Sequence, residues 1–368
     1  MNTTENVRVS VIMPIYNAYD YLRPALDSVI DQTFRDIEII CVDDGSTDHS
    51  LEIIKEYRDR DSRVRIITEN NAGPSIARNR GLSRARGEYV IFLDADDFYE
   101  PTLIERLYEI AEKDGLDIAF CGYDIYNSRT ARFEPGVKSD NADIFEGGRV
   151  VSRREYPDKI LSSVPGYVCH KMFSHTFLTE KNLTFNKDIR VFEDMHFVVC
   201  AMAMADRVGS VRDCLVHHRI YSAQTKSRLF RKYYNQVPAL YANIKEFLRA
   251  NGMYIPLSKS FLSLSAGRCY TIYNILWRDA KENFWNLIHE EYLEELGWTE
   301  IEPMDIDSEE VRNFVTNILV FNHDQYQRRI KRGLFKRPGG VERAVKLAKS
   351  RKKFREIFKI FFKKKKKD

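Results

Sequence analysis

The stretch from Tyr89 to Asp97 constrains the fold more than any other part of this chain. It begins with five consecutive apolar residues, rich in β-branched and aromatic side chains, a composition typical of a strand buried on both faces. Three carboxylates follow within four positions: Asp94, Asp96 and Asp97. Because a buried strand does not carry charge, we expect these acids just past its carboxyl end, where open α/β sheets bind ligands. They suit a divalent cation that also binds substrate phosphates, or alternatively an acidic turn that caps the next helix.

Short strands and helices alternate over about the first 125 residues. The predicted strands are Val7–Met13, Ile37–Val42, Val64–Ile67, Glu88–Leu93 and Asp117–Tyr123. The predicted helices are Asp20–Gln32, Leu51–Tyr57, Gly73–Ala85 and Pro101–Lys113. This alternation predicts an α/β fold with a Rossmann-like, mostly parallel sheet and helices on both faces.

The pattern changes after this region. Residues 127–148 carry loop signals, and helical spacing is predicted for Val150–Leu161, for the mixed segment Lys171–Leu178 and for Phe192–Ala205. A strand is predicted at Val208–Val216. Further on, only helical patterns occur: Tyr233–Leu248, Leu257–Trp277, Ala280–Leu296 and Glu309–Phe321. We therefore predict four parts: residues 1–126 and 127–230 as two halves of one domain, a helical module at 231–335 and a basic tail at 336–368.

Charge is distributed unevenly along the chain. The formal net charge is +4, but the segment from Glu342 to the end carries a net +10, which leaves the body mildly acidic. Within the tail, five apolar side chains share one helical face with lysines around it: Phe354, Ile357, Phe358, Phe361 and Phe362. This pattern predicts an interfacial helix on an anionic membrane surface. Packing of the phenylalanines on the protein body is the alternative, and nucleic acid is not expected because no aromatic stacking platform accompanies the tail.

Composition also predicts the compartment. The six cysteines form no CxxC pair, so we interpret them as reduced thiols, and the polar first six residues lack the pattern of a signal peptide. No run of 18 or more apolar residues occurs. The expectation is a cytoplasmic protein, associated peripherally with the inner face of the cell membrane.

Two acidic clusters should converge. Asp43 and Asp44 follow the second predicted strand, as Asp94 and Asp96 follow the fourth, and both strands should end at the same edge of the sheet. Arg78 and Arg80 lie between them, on a helix that begins near Gly73. Cations and a helix start beside bound metal are features of a diphosphate site.

Five blocks in order resemble the family 2 glycosyltransferases of the GT-A fold. They are Val9–Asn17, Ser28–Phe34, Val42–Asp48, Asn71–Gly81 and Gly87–Asp97. The resemblance is close up to about residue 126 and looser to about residue 227. It implies an inverting enzyme of the bacterial surface-polysaccharide type, with a nucleotide-diphosphate sugar as donor, a UDP-sugar being favoured, and with Mn²⁺ or Mg²⁺ as cofactor. The predicted binding of the tail to a membrane adds the expectation of a glycan or lipid-linked acceptor.

The resemblance also implies roles for residues. Pro14, Tyr16, Asp43 and Asp44 would contact the nucleoside. Tyr16 would lie against the base, and Asp44, with Asp43 alongside, would accept a hydrogen bond from it. The alternative for Tyr16 is a residue of the core. Arg78, Asp94 and Ala95 would complete the donor site, although Arg78 could instead be an ordinary surface cation of its helix.

Metal and acceptor contacts follow from the same resemblance. Asp96 would be the main metal ligand, with Asp94 beside it and His217 or His218 as a third ligand. The alternative is that the two histidines have no metal role, because His218 stands where the family usually has an aromatic residue before Arg219. Asp97 and Glu193 would lie on the acceptor side.

Asp194 would be the general base, and apolar neighbours such as Phe192 and Phe197 would raise its pKa. Without the resemblance, the pair Glu193 and Asp194 would be read as a helix cap. Rival readings are a nucleotidyltransferase, which would release pyrophosphate, and an inactive sugar-nucleotide-binding scaffold. A nicotinamide dehydrogenase is disfavoured because no GxGxxG follows the first strand.

Overall fold

The structure is a computed structural model, and it describes residues 7–137, 143–164, 166–189, 191–220, 231–300 and 305–331. The chain divides into two compact units. The first contains residues 1–226 together with 250–257, and the second contains residues 227–249 and 258–368. In the described ranges, no helix is long and apolar enough to cross a lipid bilayer.

The first unit is built on one mixed sheet. Its strands are β1 Val9–Ile15, β2 Ile37–Asp43, β3 Val64–Thr68, β4 Tyr89–Phe92, β5 Phe98–Tyr99, β6 Ile118–Asn127, β7 Arg132–Val137, β8 Lys171–Ser174 and β9 Val208–Ile220. The order across the sheet is β3-β2-β1-β4-β8-β6-β9-β5, and β7 pairs with β6 as a hairpin. Strands β3, β2, β1 and β4 are parallel, as the α/β prediction requires.

Helices connect these strands. They are α1 Tyr19–Ile30, α2 Ser50–Arg60, α3 Pro74–Leu82, α4 Leu103–Asp114, α5 His175–Glu180 and α6 Glu193–Met204. The four helices predicted in the first 125 residues all form. Their apolar stripes cover the sheet: Leu22, Leu26 and Val29 of α1 join Leu103 and Leu107 of α4 in one core with the buried residues of β1 and β2. The predicted α/β fold class is confirmed.

Strand β1 extends further than its sequence suggested, through Pro14 to Ile15. A proline inside a strand loses one ladder hydrogen bond. Here the loss costs little because β4 pairs with β1 only as far as Ile12, and the last residues of β1 have only β2 beside them. The extension carries the following loop, with Tyr16, beyond the sheet edge.

The prediction of a helical segment at Lys171–Leu178 is wrong for its first half. Residues Lys171–Ser174 form β8, which lies antiparallel between β4 and β6, and the helix begins only at His175. Met172 and Phe173 both pair with residues of the two neighbouring strands, so the sheet ladder determines the conformation here rather than helical spacing.

Three other local predictions differ from the structure. The helix expected at Val150–Leu161 is a series of turns, because Val151 pairs with Val208 as a β-bridge and Pro157 has no N–H to continue a helix. The strand expected to end at Val216 continues to Ile220, which places His217 and His218 within β9. The loop-like segment after residue 127 contains strand β7.

The second unit is helical in its described residues, as predicted. Its helices are α7 Gln236–Ala250, α8 Ser258–Ile275, α9 Arg278–Leu287, α10 Glu309–Val320 and α11 His323–Lys331, with a π-helical turn at Ile288–Tyr292. Large aromatic side chains such as Trp285 and Phe314 form its core. The four-part division and the basic tail remain predictions, and the tail lies outside the described residues.

Candidate active site

The carboxyl ends of β2 and β4 lie at one edge of the sheet, because both strands run parallel to β1 between them. Asp43 and Asp44 come at the end of β2 and are both buried. The Asp44 carboxylate accepts hydrogen bonds from the backbone N–H groups of Ala72, at 2.7 Å, and Gly73, at 2.9 Å. It therefore fixes the turn that starts α3.

Gly73 is suited to that turn by its backbone conformation. Its φ of 95° is one that side-chain-bearing residues rarely adopt, and an added Cβ would meet nothing within 4 Å. Glycine is therefore required by the backbone conformation of the turn, and not by a lack of space for a side chain. The space in front of it is open to a ligand.

Tyr16 lies on the loop between β1 and α1 and is 51% exposed. The loop is attached to its neighbour after β2: Asn17, at a φ of 47°, accepts from the N–H of Thr47 at 2.8 Å, and its own N–H donates to Ser46. A half-exposed aromatic ring on a fixed loop is available for stacking. Pro14 is half-buried in β1 just before it.

Arg78 is the centre of a group that we call the Arg78 cluster, made of Arg78, Asp94, Glu193 and Asp194. The guanidinium of Arg78 is almost fully buried, and Nη2 donates to Asp94 Oδ1 at 2.6 Å. Nη1 donates to Glu193 Oε1 at 3.0 Å and is also 3.0 Å from Asp194 Oδ1. One cation thus joins an acid that follows β4 to two acids in the first turn of α6.

The Arg78 cluster contains more negative than positive charge, and its polar groups are not fully satisfied. Arg78 Nε and Asp194 Oδ1 are buried without a hydrogen-bond partner. Burial lowers the pKa of Arg78, but the three carboxylates outweigh it and raise the pKa above its ordinary value. The Phe185 ring lies under the guanidinium, 5.2 Å from it, so Arg78 is held from below by an aromatic face.

Asp194 has the properties expected of a general base. Burial raises its pKa to about 7, and Asp94 and Glu193 act in the same direction, while Arg78 and the backbone N–H of Val168 oppose the shift. Its side chain is still 17% exposed. Phe192, just before α6, adopts a left-handed conformation with a φ of 65°, which is costly for an aromatic residue. Residues strained in this way cluster at functional sites.

Asp97 has a different environment from Asp94 and Asp96. It is fully buried: Oδ2 lies 3.0 Å from His218 Nδ1, and Oδ1 accepts from the backbone N–H of Arg219 at 2.8 Å. Both oxygens are thus bound within the protein, and this geometry does not favour contact with an acceptor. The carboxylate instead favours a proton on Nδ1 of His218.

Arg219 fixes the acidic turn from the other side, which the sequence did not indicate. Its Nε donates to the backbone carbonyl of Asp96 at 2.8 Å. Its guanidinium also lies over the rings of Phe98 and Tyr126, each 5.1 Å away. Ala95 is buried within the same turn, and Asp96 is half-buried.

The acids at this edge have the oxygen ligands that a divalent metal prefers. Among the described residues, no three His, Cys, Asp or Glu side chains form a group that could hold a metal ion. A site with one or two carboxylates, completed by phosphate oxygens and water, is the usual way Mg²⁺ is bound. A histidine whose other nitrogen donates to a carboxylate, as His218 does to Asp97, is typical of metal ligands. The residues therefore fit a metal that substrate helps to bind.

His217, the alternative metal ligand, is committed elsewhere. Its Nδ1 lies 2.6 Å from Asp124 Oδ1 and its Nε2 lies 2.9 Å from Glu100 Oε1. Arg80 is also directed away, because it pairs with Glu69 at the surface. Thus Arg78, and not Arg80, lies beside the acids at this edge, and so does His218, and not His217.

The structure also contains a buried cation that sequence reasoning did not single out. Lys171 has no exposed surface, and its ammonium donates to the Tyr167 carbonyl at 2.6 Å and to His170 Nε2 at 2.8 Å. A lysine between the apolar pairs Val168-Cys169 and Met172-Phe173 was a signal available in the sequence, since lysine is almost never fully buried unless it is paired.

Comparison with known proteins shows which family this chain belongs to. The model of glycosyl transferase family 2 matches residues 10–208. The chain is 35% identical over 215 residues to the uncharacterized glycosyltransferase EpsJ of Bacillus subtilis, covering 57% of this chain and 60% of that protein. It is 32% identical over 250 residues to the putative glycosyltransferase EpsH of the same organism, covering 67% of this chain and 71% of EpsH. The chain thus spans about 60 to 70% of the length of these relatives.

Solved structures share the fold. TarS 1-349 of S. aureus in complex with UDP-GlcNAc aligns with a TM-score of 0.52 at 19% identity, covering 87% of this chain and 92% of that one. The mannosyltransferase PcManGT of Pyrobaculum calidifontis, in complex with GDP-Man and Mn²⁺, aligns with a TM-score of 0.51 at 15% identity, covering 86% of each chain. At these identities the likeness concerns the fold alone. The family match over more than half of the sequence, together with the similarity to EpsH, shows that this chain belongs to glycosyl transferase family 2.

Proposed function

We propose that this chain is an inverting glycosyltransferase. It moves a sugar from a nucleotide-diphosphate sugar, with a UDP-sugar the favoured donor, to a hydroxyl of a glycan or lipid-linked acceptor. The observation that carries the proposal is the contact of Arg78 with Asp94 on one side and Asp194 on the other. This places a cation and an acid of raised pKa beside the sheet edge where a donor would bind.

The donor side is assigned to residues at the ends of β1, β2 and β4. Tyr16 stacks on the nucleobase, while Asp43 and Asp44 shape the pocket, Asp44 through the turn at Gly73. Pro14 and Ala95 line the pocket by backbone and apolar contact. Asp94 accepts from the donor sugar or ribose while it remains paired with Arg78.

The cofactor in this proposal is Mn²⁺ or Mg²⁺, held by Asp96 and His218, with Asp94 alongside. Such a cation, when bound, neutralises the negative charge that develops on the diphosphate. The residues of the chain have a separate task. Asp97 orients His218, and Arg219 holds the backbone of Asp96 in place.

The reaction is a single displacement with inversion. Asp194 takes the proton of the acceptor hydroxyl as its oxygen forms a bond to the anomeric carbon. The bond from that carbon to the diphosphate oxygen breaks, and the nucleoside diphosphate leaves with the electron pair. Glu193 lies on the acceptor side and keeps Arg78 oriented through its 3.0 Å hydrogen bond.

The test is transfer by the wild type and by Asp194→Asn. Purified protein is incubated with a panel of sugar nucleotides, Mn²⁺ and candidate acceptors, while transfer and release of nucleoside diphosphate are measured. Loss of the base should lower kcat by about 10² to 10⁴-fold with the melting temperature retained. Release of pyrophosphate would indicate a nucleotidyltransferase, and binding without transfer would indicate a scaffold. Near-wild-type turnover by a folded Asp194→Asn variant would contradict the assignment of Asp194 as the general base.

For the tail, which lies outside the described residues, we propose binding to anionic lipid at the inner face of the cell membrane. The support is the phenylalanine face with its lysine rim. Sedimentation with phosphatidylserine-containing vesicles should decrease with salt. A variant that ends at Arg351 should not sediment, and unchanged sedimentation of that variant would contradict the proposal.

A further inference from the structure

The segment Gly166–Lys171 contacts both halves of the proposed active site. The backbone N–H of Val168 stabilises the ionised carboxylate of Asp194, the proposed base, and so lowers its pKa. The ring of Tyr167 lies against the ring of His218, the proposed metal ligand, with 5.2 Å between their centroids and an interplanar angle of 33°. One short stretch of backbone therefore sets the position of groups on the acceptor side and on the donor side.

Lys171 is the side chain that closes this segment on itself. Its ammonium donates to the carbonyl of Tyr167 at 2.6 Å, and its backbone N–H donates to the carbonyl of Val168 at 3.1 Å. The carbonyl of Tyr167 belongs to the peptide group that also carries the Val168 N–H. The lysine thus holds the peptide group whose N–H stabilises the Asp194 carboxylate.

The burial of this lysine is costly, which argues against a passive role. It has no exposed surface, and burial lowers its pKa to about 7. Its second partner is Nε2 of His170, 2.8 Å away, and Nδ1 of the same ring is buried without a hydrogen-bond partner. Burial also lowers the pKa of His170, which keeps the ring neutral beside the ammonium.

The segment has little freedom to move in other directions. The Tyr99 hydroxyl lies between two carbonyl oxygens, 2.9 Å from that of Phe92 and 3.1 Å from that of Cys169. The N–H of Cys121 donates to the carbonyl of His170 at 3.1 Å. At Gly166, an added Cβ would lie 3.0 Å from Cγ of Met195, the residue after Asp194. The segment is thus packed directly against the first turn of α6.

We propose that Lys171 is a positioning residue that couples the base Asp194 to the metal ligand His218 through the segment Gly166–Lys171. The role of this coupling in turnover rests on the proposed function, whereas the coupling itself is a property of the folded chain. Without the ammonium, the Tyr167 peptide group loses its side-chain donor. The Val168 N–H and the Tyr167 ring should then shift together.

The experiment uses a matched control elsewhere in the chain. Lys245, in the second unit, is also almost fully buried, and it donates to the Glu294 carbonyl and to Glu300 at 2.8 Å. Lys171→Met and Lys245→Met each remove one buried ammonium and keep the apolar stem. Lys171→Arg restores the charge without the geometry of an ammonium.

The first measurement is steady-state transfer. Lys171→Met should lower kcat by about 10²-fold, the effect of a small misplacement of reacting groups, with the donor KM changed by less than about threefold. Lys245→Met should leave kcat within about twofold while it lowers the melting temperature. Equal kcat in Lys171→Met and wild type would overturn the proposal, as would equal losses in both variants.

The second measurement needs no substrate. Hydrogen exchange should accelerate in Lys171→Met at residues 166–170, in the first turn of α6 and around His218, and it should be unchanged there in Lys245→Met. Acceleration confined to residues 166–170 would overturn the coupling. If the wild type transfers no sugar, the proposed function fails, while this exchange pattern still decides whether Lys171 couples the two sites.

Discussion

Two buried charge clusters lie at opposite ends of the same strands, and they differ in how well their polar groups are satisfied. At the amino ends of β1, β2 and β4, Glu38 accepts from Ser10, from the backbone N–H of Arg86 and from the side chains of Arg65 and Arg86. We call this the Glu38 cluster. At the carboxyl ends, the Arg78 cluster has three acids around one cation. Two of its buried polar atoms have no hydrogen-bond partner, although one of them, Asp194 Oδ1, lies 3.0 Å from Arg78 Nη1.

The difference appears in the pKa values. Burial alone would raise the pKa of Glu38, but hydrogen bonds from Ser10, Arg65 and Arg86 outweigh it and lower the value. Burial raises the pKa of Asp194 to about 7, and one shared arginine does not reverse that. A fully satisfied acid stays ionised and holds elements together, whereas an incompletely satisfied acid can exchange a proton near neutral pH.

The largest expected effect is that of Arg78→Met. Three carboxylates would lose their shared cation, and an unpaired buried charge costs about 3–5 kcal/mol. Chemical denaturation at pH 8, where the acids are ionised, measures the loss of unfolding free energy. A loss below about 1 kcal/mol would mean that water already reaches these carboxylates, and the contrast between the two clusters would weaken.

Glu38→Gln should cost less and should spare the chemistry. Arg65 and Arg86 are partly exposed and can turn to water, so we expect a loss of about 1–3 kcal/mol with unchanged kcat per folded molecule. The sign with pH follows from the lowered pKa of Glu38. Its contribution is present above pH 4.5, its ordinary pKa, and is lost as pH falls, so the gap to wild type should close in acid. A gap that widens in acid would contradict this.

Asp97 sharpens the comparison, because it is a fully satisfied acid at the active-site end. Asp97→Asn should raise the Mn²⁺ concentration needed for half-maximal transfer by about 10 to 100-fold, since the tautomer of His218 is no longer fixed, and kcat should recover at saturating metal. Asp124→Asn, beside His217, is the matched control and should leave the metal requirement unchanged. Equal shifts in both variants would point to general loosening of β9.

The sequence was informative where the pattern was local and continuous. Buried strands followed by acids predicted the edge where Asp44 and Asp94 lie, and the resemblance placed Arg78 and Asp194 in one site, where they are 3.0 Å apart. The sequence was less informative where distant segments compete for pairing. Strand β8 has helical spacing, yet it fills the gap between β4 and β6, a gap that only the assembled sheet defines.

The partners of buried polar side chains also could not be predicted from the sequence. Glu38 interrupts an apolar strand, and Lys171 an apolar run, but their partners come from segments far along the chain or from backbone carbonyls. The burial of Asp97 was likewise invisible, because the spacing of Asp94, Asp96 and Asp97 does not say which carboxylate turns inward.

The pH dependence of transfer by the wild-type enzyme tests the central claim most directly. Asp194 accepts a proton only when it is ionised, and its pKa is raised to about 7. The account predicts that kcat rises about tenfold per pH unit in acid, bends near pH 7 and is level above it, with Glu38→Gln following the same curve. A kcat that stays level from about pH 5.5 to about 8.5 would contradict a base held in this environment.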